Sequence, residues 1–573
     1  MRAVILGGSV LGLAVASAEG CGGGGDTTAP PGTGGTAVGG HGGSGATGAE
    51  GGTGGAQGGT GGAQGGSGGG PACTGSETQP CYEGPDGTQD VGICHAGTST
   101  CTQGQWGLCE DQQIPLAEDC NAIGDEDCNG VPCSELLWSK MVGGSGDEMA
   151  TAVTADAAGN VIVGGTFSGT VDFGCGALVS AGSADGFLAS YSAAAGACLW
   201  SLRFGGAFPD GVRALAVDPV GDIVVLGDFV QTITVFGLPL TAGGVQDGFL
   251  LKVDPSGGLV WVTHLATGVG ATGNKTPRSV AIDPAGDIVL AGSFTGHWSC
   301  PLPACDTPSN GYAAFVDKRS GVDGHLLWRK TYDSPSDQAA VAVAAAGDGS
   351  VVVGGYFNQT LDLGGGTILT APTSWYGFVA KLAAADGATV WAKSFGDPAT
   401  ATTEQQVSSV AIAAGDDIVV TGQGAGGVAF ASGDVLVSQG SADVFLARYS
   451  SSGALVWRGL YGDAMDQKSY GVAVDSADNV ILAGAIFGSM DFGGGPLTTA
   501  GGYDAFLAKF SGTGVLLWNR SFGGAQYDGA LATAVNALDQ IALVGYGSSS
   551  IDFGGGPLPY AGSLDGFVAL FYP

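Results

Sequence analysis

Seven tryptophans recur along the chain at a nearly constant spacing. They lie 62, 61, 67, 63, 66 and 61 residues apart, at Trp138, Trp200, Trp261, Trp328, Trp391, Trp457 and Trp518. Each copy also contains one glycine that never varies, at Gly165, Gly227, Gly292, Gly355, Gly422, Gly484 and Gly545. Self-similarity with a fixed period is the sequence signature of internal structural repeats. The sequence therefore predicts seven copies of one structural unit.

The pattern within each copy predicts four short strands. Their types are "ATAVTAD", "NVIVGGTF", "GFLASY" and "LVW", the last leading to "FGG". Apolar and β-branched residues alternate in these segments, and no helical period competes. Four short strands per copy, repeated seven times, predict an all-β, seven-bladed β-propeller over residues 134–573. The invariant glycine is expected to let neighbouring blades approach closely.

The two ends of the repeated region complement each other. The last copy ends at "SLDGFVALFYP", residues 563–573, without its Trp strand, whereas "ELLWSKMVGG", residues 135–144, supplies a Trp strand with no copy before it. Pairing of these two segments would complete one blade, close the ring and remove open sheet edges. A linear stack would instead need atypical capping repeats, which the sequence lacks.

The first 20 residues are predicted to be an export signal. Arg2 is followed by an apolar run, Val4 to Val15, that is too short to span a bilayer. Its end allows two cleavage sites: a simple A-x-A site ending at Ala18, or a lipoprotein-like site before Cys21. We favour lipidation of Cys21, because it leaves an even number of cysteines for pairing.

Two further segments precede the repeats. Residues 21–72 are Gly-rich and predict a flexible tether. Residues 73–133 have few aliphatic residues and predict a small disulfide-rich module of open connectivity, typical of an oxidising compartment. The disulfide candidates are Cys73, Cys81, Cys94, Cys101, Cys109, Cys120, Cys128 and Cys133 in this module, and the local pairs Cys175 with Cys198 and Cys300 with Cys305 in the repeats.

The repeats resemble the β-propeller repeats of bacterial secreted and surface proteins. The segment "CYEGPDGTQDVGICHAGTSTCTQGQWGLCEDQQIPLAEDCNAIGDEDCNG" is similar to the Cys-rich metal-binding module of many myxobacterial surface lipoproteins. These resemblances imply an exported protein at the outer membrane or cell surface, held there by its lipid; simple secretion is the alternative. Neither resemblance implies a reaction.

A calcium site is the one candidate for a bound ion. "DEDCNG" places Asp125, Asp127 and Asn129 at alternate positions before a glycine, the order that wraps oxygen ligands around Ca²⁺ in loop sites. The twelfth position of such a loop is Leu136 rather than a bidentate glutamate. A solvated acidic turn is the simpler interpretation.

Motifs for catalysis and for nucleic-acid binding are lacking. With 52 acidic and 18 basic residues and a net charge of −34, the chain would repel nucleic acids and anionic lipids. No two of its five histidines share a zinc-ligand spacing. An aspartate precedes the third strand in five copies, at Asp185, Asp247, Asp443, Asp504 and Asp565. We expect it to cap a turn rather than to form a cation-binding ring.

These observations predict a non-catalytic, monomeric surface lipoprotein that presents a propeller for binding or adhesion. Its partner would be a protein or a glycan at the cell surface. An insertion at residues 295–312 carries Trp298, which a stiffened loop could present to a ligand. The alternatives are a secreted hydrolase or lyase with its site in the central channel, and a purely structural envelope component.

Overall fold

The computed structural model describes residues 73–85, 88–91, 93–116, 136–265, 273–298, 307–334, 336–397 and 404–573. They belong to two compact units. The smaller unit contains the described residues up to Glu83 together with Ala96–Gln112. The larger unit contains Gly84–His95 and the described residues from Gln113 to Pro573.

The smaller unit is a three-stranded antiparallel sheet held by disulfides. Its strands are β1 (Thr78–Cys81), β2 (Gly97–Thr102) and β3 (Gln105–Glu110), in that order across the sheet. Disulfides join Cys73 to Cys101 and Cys81 to Cys109. Leu108 is 82% exposed, so the covalent bridges replace an aliphatic core.

The larger unit is built from strands that the repeated sequence predicts. It begins with β4 (Leu136–Val142). Repeats 1 and 2 comprise β5 (Glu148–Ala155), β6 (Val161–Phe167), the hairpin β7 (Thr170–Asp172) and β8 (Ala177–Val179), β9 (Asp185–Tyr191), β10 (Cys198–Gly206), β11 (Asp210–Val217), β12 (Ile223–Val235), β13 (Leu238–Val253) and β14 (Leu259–His264). Repeats 3 and 4 comprise β15 (Lys275–Ile282), β16 (Ile288–Trp298), β17 (Thr307–Arg319), β18 (Leu326–Tyr332), β19 (Gln338–Ala345), β20 (Val351–Asp362), β21 (Ile368–Leu382) and β22 (Thr389–Ser394).

The remaining strands follow the same plan. Repeats 5 and 6 comprise β23 (Gln405–Ile412), β24 (Ile418–Gly424), the hairpin β25 (Gly427–Ala431) and β26 (Asp434–Val437), β27 (Asp443–Tyr449), β28 (Leu455–Tyr461), β29 (Gln467–Val474), β30 (Val480–Ile486), the hairpin β31 (Ser489–Asp491) and β32 (Pro496–Thr498), β33 (Asp504–Phe510) and β34 (Leu516–Phe522). Repeat 7 comprises β35 (Asp528–Val535), β36 (Ile541–Gly547), β37 (Asp565–Phe571) and β4. A 3-10 turn, Ala414–Asp416, interrupts the all-β pattern.

The strands form an all-β, propeller-like arrangement. Within each repeat, four antiparallel strands form one sheet, and a short pairing of β10 with β12 joins repeats 1 and 2. The first strand of each repeat contacts the first strand of the next, and β35 contacts β5. β4 pairs with β37 and places Trp138 opposite Leu570. Radial repetition of four-stranded sheets is the propeller architecture.

The invariant glycine makes room within its own repeat. A Cβ on Gly165 would lie 1.9 Å from the Met149 carbonyl oxygen and 2.8 Å from the Phe187 ring, both in repeat 1. The first strand has a β-bulge here, between Ala150 and Ala152. In the other six repeats a Cβ would likewise lie 1.9–2.6 Å from a first-strand carbonyl oxygen. The expectation that this glycine lets neighbouring blades approach closely was therefore wrong.

The recurring tryptophans connect successive repeats. The indole N–H of Trp391 donates a hydrogen bond to the carbonyl oxygen of Ser451, in the last turn of the next repeat, at 3.1 Å. Its ring lies against Gly453 of the same turn, where a Cβ would approach to 3.0 Å. Four other tryptophans make the equivalent bond: Trp138, Trp200, Trp328 and Trp457.

Replacing Trp391 by phenylalanine should lower the free energy of unfolding by about 1 kcal/mol, because the ring is kept but the hydrogen bond is lost. Replacing it by alanine should cost about 3 kcal/mol or more, because the contact with the next repeat is also lost. Urea unfolding of both variants measures the two effects. Equal losses would mean that the hydrogen bond, not the ring, carries the connection.

Candidate functional site

The side chains that could bind a ligand or take part in a reaction lie mainly on one face of the larger unit. The first and third strands of each repeat begin there and the second and fourth end there, because neighbouring strands are antiparallel. We call it the mouth face. The first strands contact one another in succession from repeat to repeat.

The repeated aspartates on the mouth face cap turns. Each carboxylate accepts a hydrogen bond from the backbone N–H four residues earlier, as Asp185 does from Ala181 at 2.9 Å and Asp443 from Gln439 at 2.9 Å. The other three bonds measure 2.7–2.8 Å, at Asp247, Asp504 and Asp565. The turn-capping role expected from the sequence is therefore present in all five copies.

A second layer of buried polar residues consists of one residue at the start of the first strand of each repeat. Its members are Glu148, Asp210, Lys275, Gln338, Gln405, Gln467 and Asp528, each at most 2% exposed. The carboxylates of Glu148 and Asp210 accept the N–H of Gly144 and Gly206 at 2.7 and 2.6 Å. Sequence analysis missed this layer. Alignment of the seven copies could have found it as a polar position within an apolar strand.

Carboxylates of the turn-capping aspartates and of this second layer lie close to one another. Burial raises the pKa of Glu148 to about 7, and the charges of Asp565 and Asp147 add to the shift. Burial likewise raises the pKa of Asp210 to about 7, with Asp185 contributing. In contrast, Lys275 lies 3.6 Å from Asp247 and forms an ion pair at the boundary between repeats 2 and 3.

The side chains at the β-bulges of the first strands differ from repeat to repeat. The β-bulge leaves one unpaired residue in each first strand, and a bulge re-aims its side chain. All seven are half-buried: Thr151, Arg213, Arg278, Val341, Ser408, Tyr470 and Leu531. The residue after the bulge is small in every repeat, whereas no residue type except arginine recurs at the bulge itself.

Aromatic side chains concentrate in two parts of the mouth. The tyrosine cluster consists of Tyr470, Tyr503, Tyr527 and Tyr546, from repeats 6 and 7. Its ring centroids at Tyr503 and Tyr527 lie 6.3 Å apart. Tyr546 lies over Gly529, where a Cβ would come within 3.1 Å of its ring.

A second aromatic group belongs to repeats 3 and 4. Tyr356 and Trp375 pack edge to face at 5.4 Å, and Tyr312 beside them is 49% exposed. Between the two groups, Asp228 accepts hydrogen bonds from Arg213 at 2.8 Å and from Gln246 at 2.5 Å. The mouth therefore combines exposed rings with fixed polar groups, which suits ligand recognition.

The other face is occupied by ion pairs that stabilise the repeats. Lys252 contacts Asp218 at 2.5 Å and Asp222 at 3.2 Å. Equivalent third-strand cations are Lys318, Lys381, Arg448 and Lys509, each paired with a carboxylate of a strand-connecting turn. Because their charges are satisfied within the fold, this face offers less to a partner than the mouth.

Several residues proposed from the sequence have a defined place. Cys175 is bonded to Cys198, as expected, and Cys94 is also in a disulfide. Trp298 is fully buried, with its indole N–H donating to the Leu265 carbonyl oxygen and Arg329 3.6 Å above its ring. The suggestion that Trp298 contacts a ligand was therefore wrong.

Other proposed residues lie outside the described residues: Cys21, Cys120, Asp125, Asp127, Cys128, Asn129, Cys133, Cys300 and Cys305. Within the described ranges, no group of three or more His, Cys, Asp or Glu side chains is placed to hold a metal ion. No helix of these ranges has the length and hydropathy that crossing a membrane requires.

Comparison with known proteins gives likeness in fold. No family model matches the chain. An uncharacterized WD repeat-containing protein of Acanthamoeba polyphaga mimivirus is 22% identical over 541 residues, and the match covers 76% of this chain but spans only 38% of that protein's length.

Solved structures with a similar arrangement of strands include the Neurospora crassa Pan2 WD40 domain, with 10% identity, 74% and 89% of the two chains covered and a TM-score of 0.37. The Dos1 propeller has 8% identity, 76% and 94% coverage and a TM-score of 0.38. A quinohemoprotein alcohol dehydrogenase of Pseudomonas putida has 10% identity, 76% coverage of each chain and a TM-score of 0.38. The repeated four-stranded antiparallel sheets of this chain form a propeller-like arrangement.

Proposed function

We propose that the protein is a non-catalytic, lipid-anchored surface protein that binds a cell-surface protein or glycan at the mouth of a closed, seven-bladed β-propeller. The observation that carries this proposal is the contrast on the mouth face. The second-strand glycine is constant and the residue after the bulge is small in every repeat, whereas the bulge residues vary. The exposed rings of Tyr312 and Tyr527 lie on the same face. Exposed aromatic residues beside fixed polar groups are typical of binding surfaces.

Ring closure is supported by contacts between the ends of the repeated region. β4 pairs with β37 over six residue pairs, and β5 contacts both β35 and β36. These contacts match those between other successive repeats. A closed ring leaves no first strand without neighbours and holds the mouth residues in a fixed relation, which favours binding as a monomer.

A binding role is favoured over hydrolysis by what occupies the position of His264 in another repeat. His264 lies 3.1 Å from Asp247, an arrangement that could serve a general base. Arg203 occupies the same position of repeat 1 and contacts Asp185 at 2.7 Å. Since arginine cannot act as a base at neutral pH, the shared position points to a structural role.

Attachment to a membrane rests on the sequence before the described residues. A lipid on Cys21 and a Gly-rich tether over residues 21–72 would hold the propeller away from the envelope and leave its mouth accessible. In the sequence, the disulfide-rich module over residues 73–133 lies between the tether and the propeller. Its calcium site at Asp125, Asp127 and Asn129 is part of this proposal.

Binding to an array of cell-surface polypeptides and glycans tests the mouth. The full-length protein should bind a subset of the array, and Tyr312→Ala and Tyr527→Ala should weaken that binding about tenfold, since exposed aromatic residues dominate such interfaces. Both side chains are about half exposed, at 49% and 58%, so the variants should fold. Val220→Ser, 78% exposed on the other face, is the matched control. Loss of binding in the control alone would overturn the assignment.

A further inference from the structure

We propose that the tyrosine cluster receives an ammonium group presented by a basic polypeptide. This inference rests on the proposed binding function of the mouth and names the chemistry of the partner. The four tyrosines occupy different places in repeats 6 and 7, two on strands and two directly before strands, yet they lie close together. An ammonium group is attracted to the faces of aromatic rings, and several rings around one point form an aromatic cage.

The mutual position of the four rings supports a shared site. The rings of Tyr503 and Tyr527 lie 6.3 Å apart and only 35° from parallel, and Phe487 packs against Tyr503 at 5.4 Å. Burial raises the pKa of Tyr470, and the neighbouring phenols of Tyr546 and Tyr503 add to the shift. The Tyr470 phenol therefore stays neutral at physiological pH, and its ring offers an electron-rich face.

A lysine of the protein itself already contacts this cluster. The Lys468 ammonium nitrogen lies 5.2 Å from the centroid of the Tyr503 ring, within the range of a cation–π contact. The Tyr503 hydroxyl group donates a hydrogen bond to Asp466 at 3.3 Å, which holds the ring in place. The cluster is therefore shaped to accept an ammonium group on at least one of its rings. An incoming cation would replace Lys468 or share the cluster with it.

Charge complementarity selects a basic partner. The chain carries a formal charge of −34, and Asp466 and Asp528 stand beside the cluster. Such a field steers cations to the mouth and repels anions. Tyr527 is 58% exposed, so a side chain can reach the rings from solvent. A neutral glycan could stack on the same rings, but it would gain nothing from the surrounding charge.

The charge requirement can be tested with one peptide in three forms. The probe is a short neutral peptide with a single lysine, prepared with that lysine free, ε-acetylated or ε-trimethylated. Titration of the full-length protein should show millimolar binding of the free and trimethylated forms, and about tenfold weaker binding of the acetylated form, which has lost its charge. Equal binding of all three, or preference for a maltooligosaccharide added in parallel, would overturn the proposal.

Variants locate the site within the mouth. Tyr527→Ala should weaken binding of the free peptide about fivefold, whereas Tyr527→Phe should keep it, because a phenyl ring retains its face. Lys468→Gln should strengthen binding, because it removes the competing ammonium group; a purely structural role for the cluster predicts no gain. Val220→Ser, on the other face, should leave binding of this peptide unchanged. A weaker Lys468→Gln variant would count against the proposal.

The result is separable from the broader proposal. If Tyr527→Ala abolishes binding to the surface array but peptide acetylation has no effect, the mouth binds its partner without recognising a cation. The binding function would then stand and the ammonium site would be refuted. If neither the array nor the peptide responds to mouth variants, both proposals fail.

Discussion

Gly165→Ala is expected to destabilise the propeller by about 3 kcal/mol, the upper range for inserting a methyl group into a packed interior. The added Cβ would lie 1.9 Å from the Met149 carbonyl oxygen, which belongs to a hydrogen-bonded strand and cannot move away alone. The Phe187 ring on the other side, at 2.8 Å, closes the remaining space. Urea or thermal unfolding of the full-length variant measures the loss.

Gly186→Ala is the matched control within the same repeat. A Cβ there would meet its nearest neighbour at 3.4 Å, an ordinary van der Waals contact. The chain itself shows that this position accepts larger residues, since Ala314, Val444 and Ala505 occupy it in other repeats. We therefore expect a loss below about 1 kcal/mol. A Gly165→Ala variant as stable as this control would show that the bulged strand can shift.

The repeat period and strand order could be predicted because the repeat is written seven times in the sequence. The role of the invariant glycine could not be predicted. The atom that excludes a larger side chain at Gly165 is a backbone carbonyl oxygen beside the bulge of the first strand. A bulge shifts strand register by one residue without a constant residue type to mark it. Equivalent bulges leave Tyr470 and Arg213 unpaired in the first strands of their own repeats.

Most of the candidate site could not be predicted from the sequence, because its residues do not recur between repeats. Self-comparison of the sequence emphasises residues that recur, such as Asp185 and its equivalents, and these cap turns. The mouth is distinguished by residues that do not recur, and Tyr503, Tyr527 and Tyr546 come together only in the folded structure. Trp298 shows the reverse error: it stood out in the sequence as part of an insertion, yet it completes the core of repeat 3.

The protein is expected to have a higher free energy of unfolding at pH 5 than at pH 8. Carboxylates paired with cations would have the opposite effect, because they stabilise a fold when ionised. Burial raises the pKa of Glu148 and Asp210 to about 7 and of Asp443 to about 6. Below about pH 4 these groups are protonated in both the folded and the unfolded chain; between about pH 4 and 7 only the folded chain keeps the protons. Stability therefore falls as the pH rises through this window. Urea unfolding at a series of pH values measures the slope.

The Glu148→Gln variant tests the contribution of one of these groups, and a glutamine already occupies the equivalent position in another repeat. Gln467 occupies the same position of repeat 6, where its side-chain oxygen accepts the Asp463 N–H at 3.3 Å, as Glu148 accepts that of Gly144. A rise in pKa from 4.5 to about 7 corresponds to about 3 kcal/mol between the protonated and ionised forms. The variant should therefore be more stable than the unchanged protein at pH 8 and equally stable at pH 4. If its advantage were the same at both pH values, improved packing rather than removal of a buried charge beside Asp565 would be the cause.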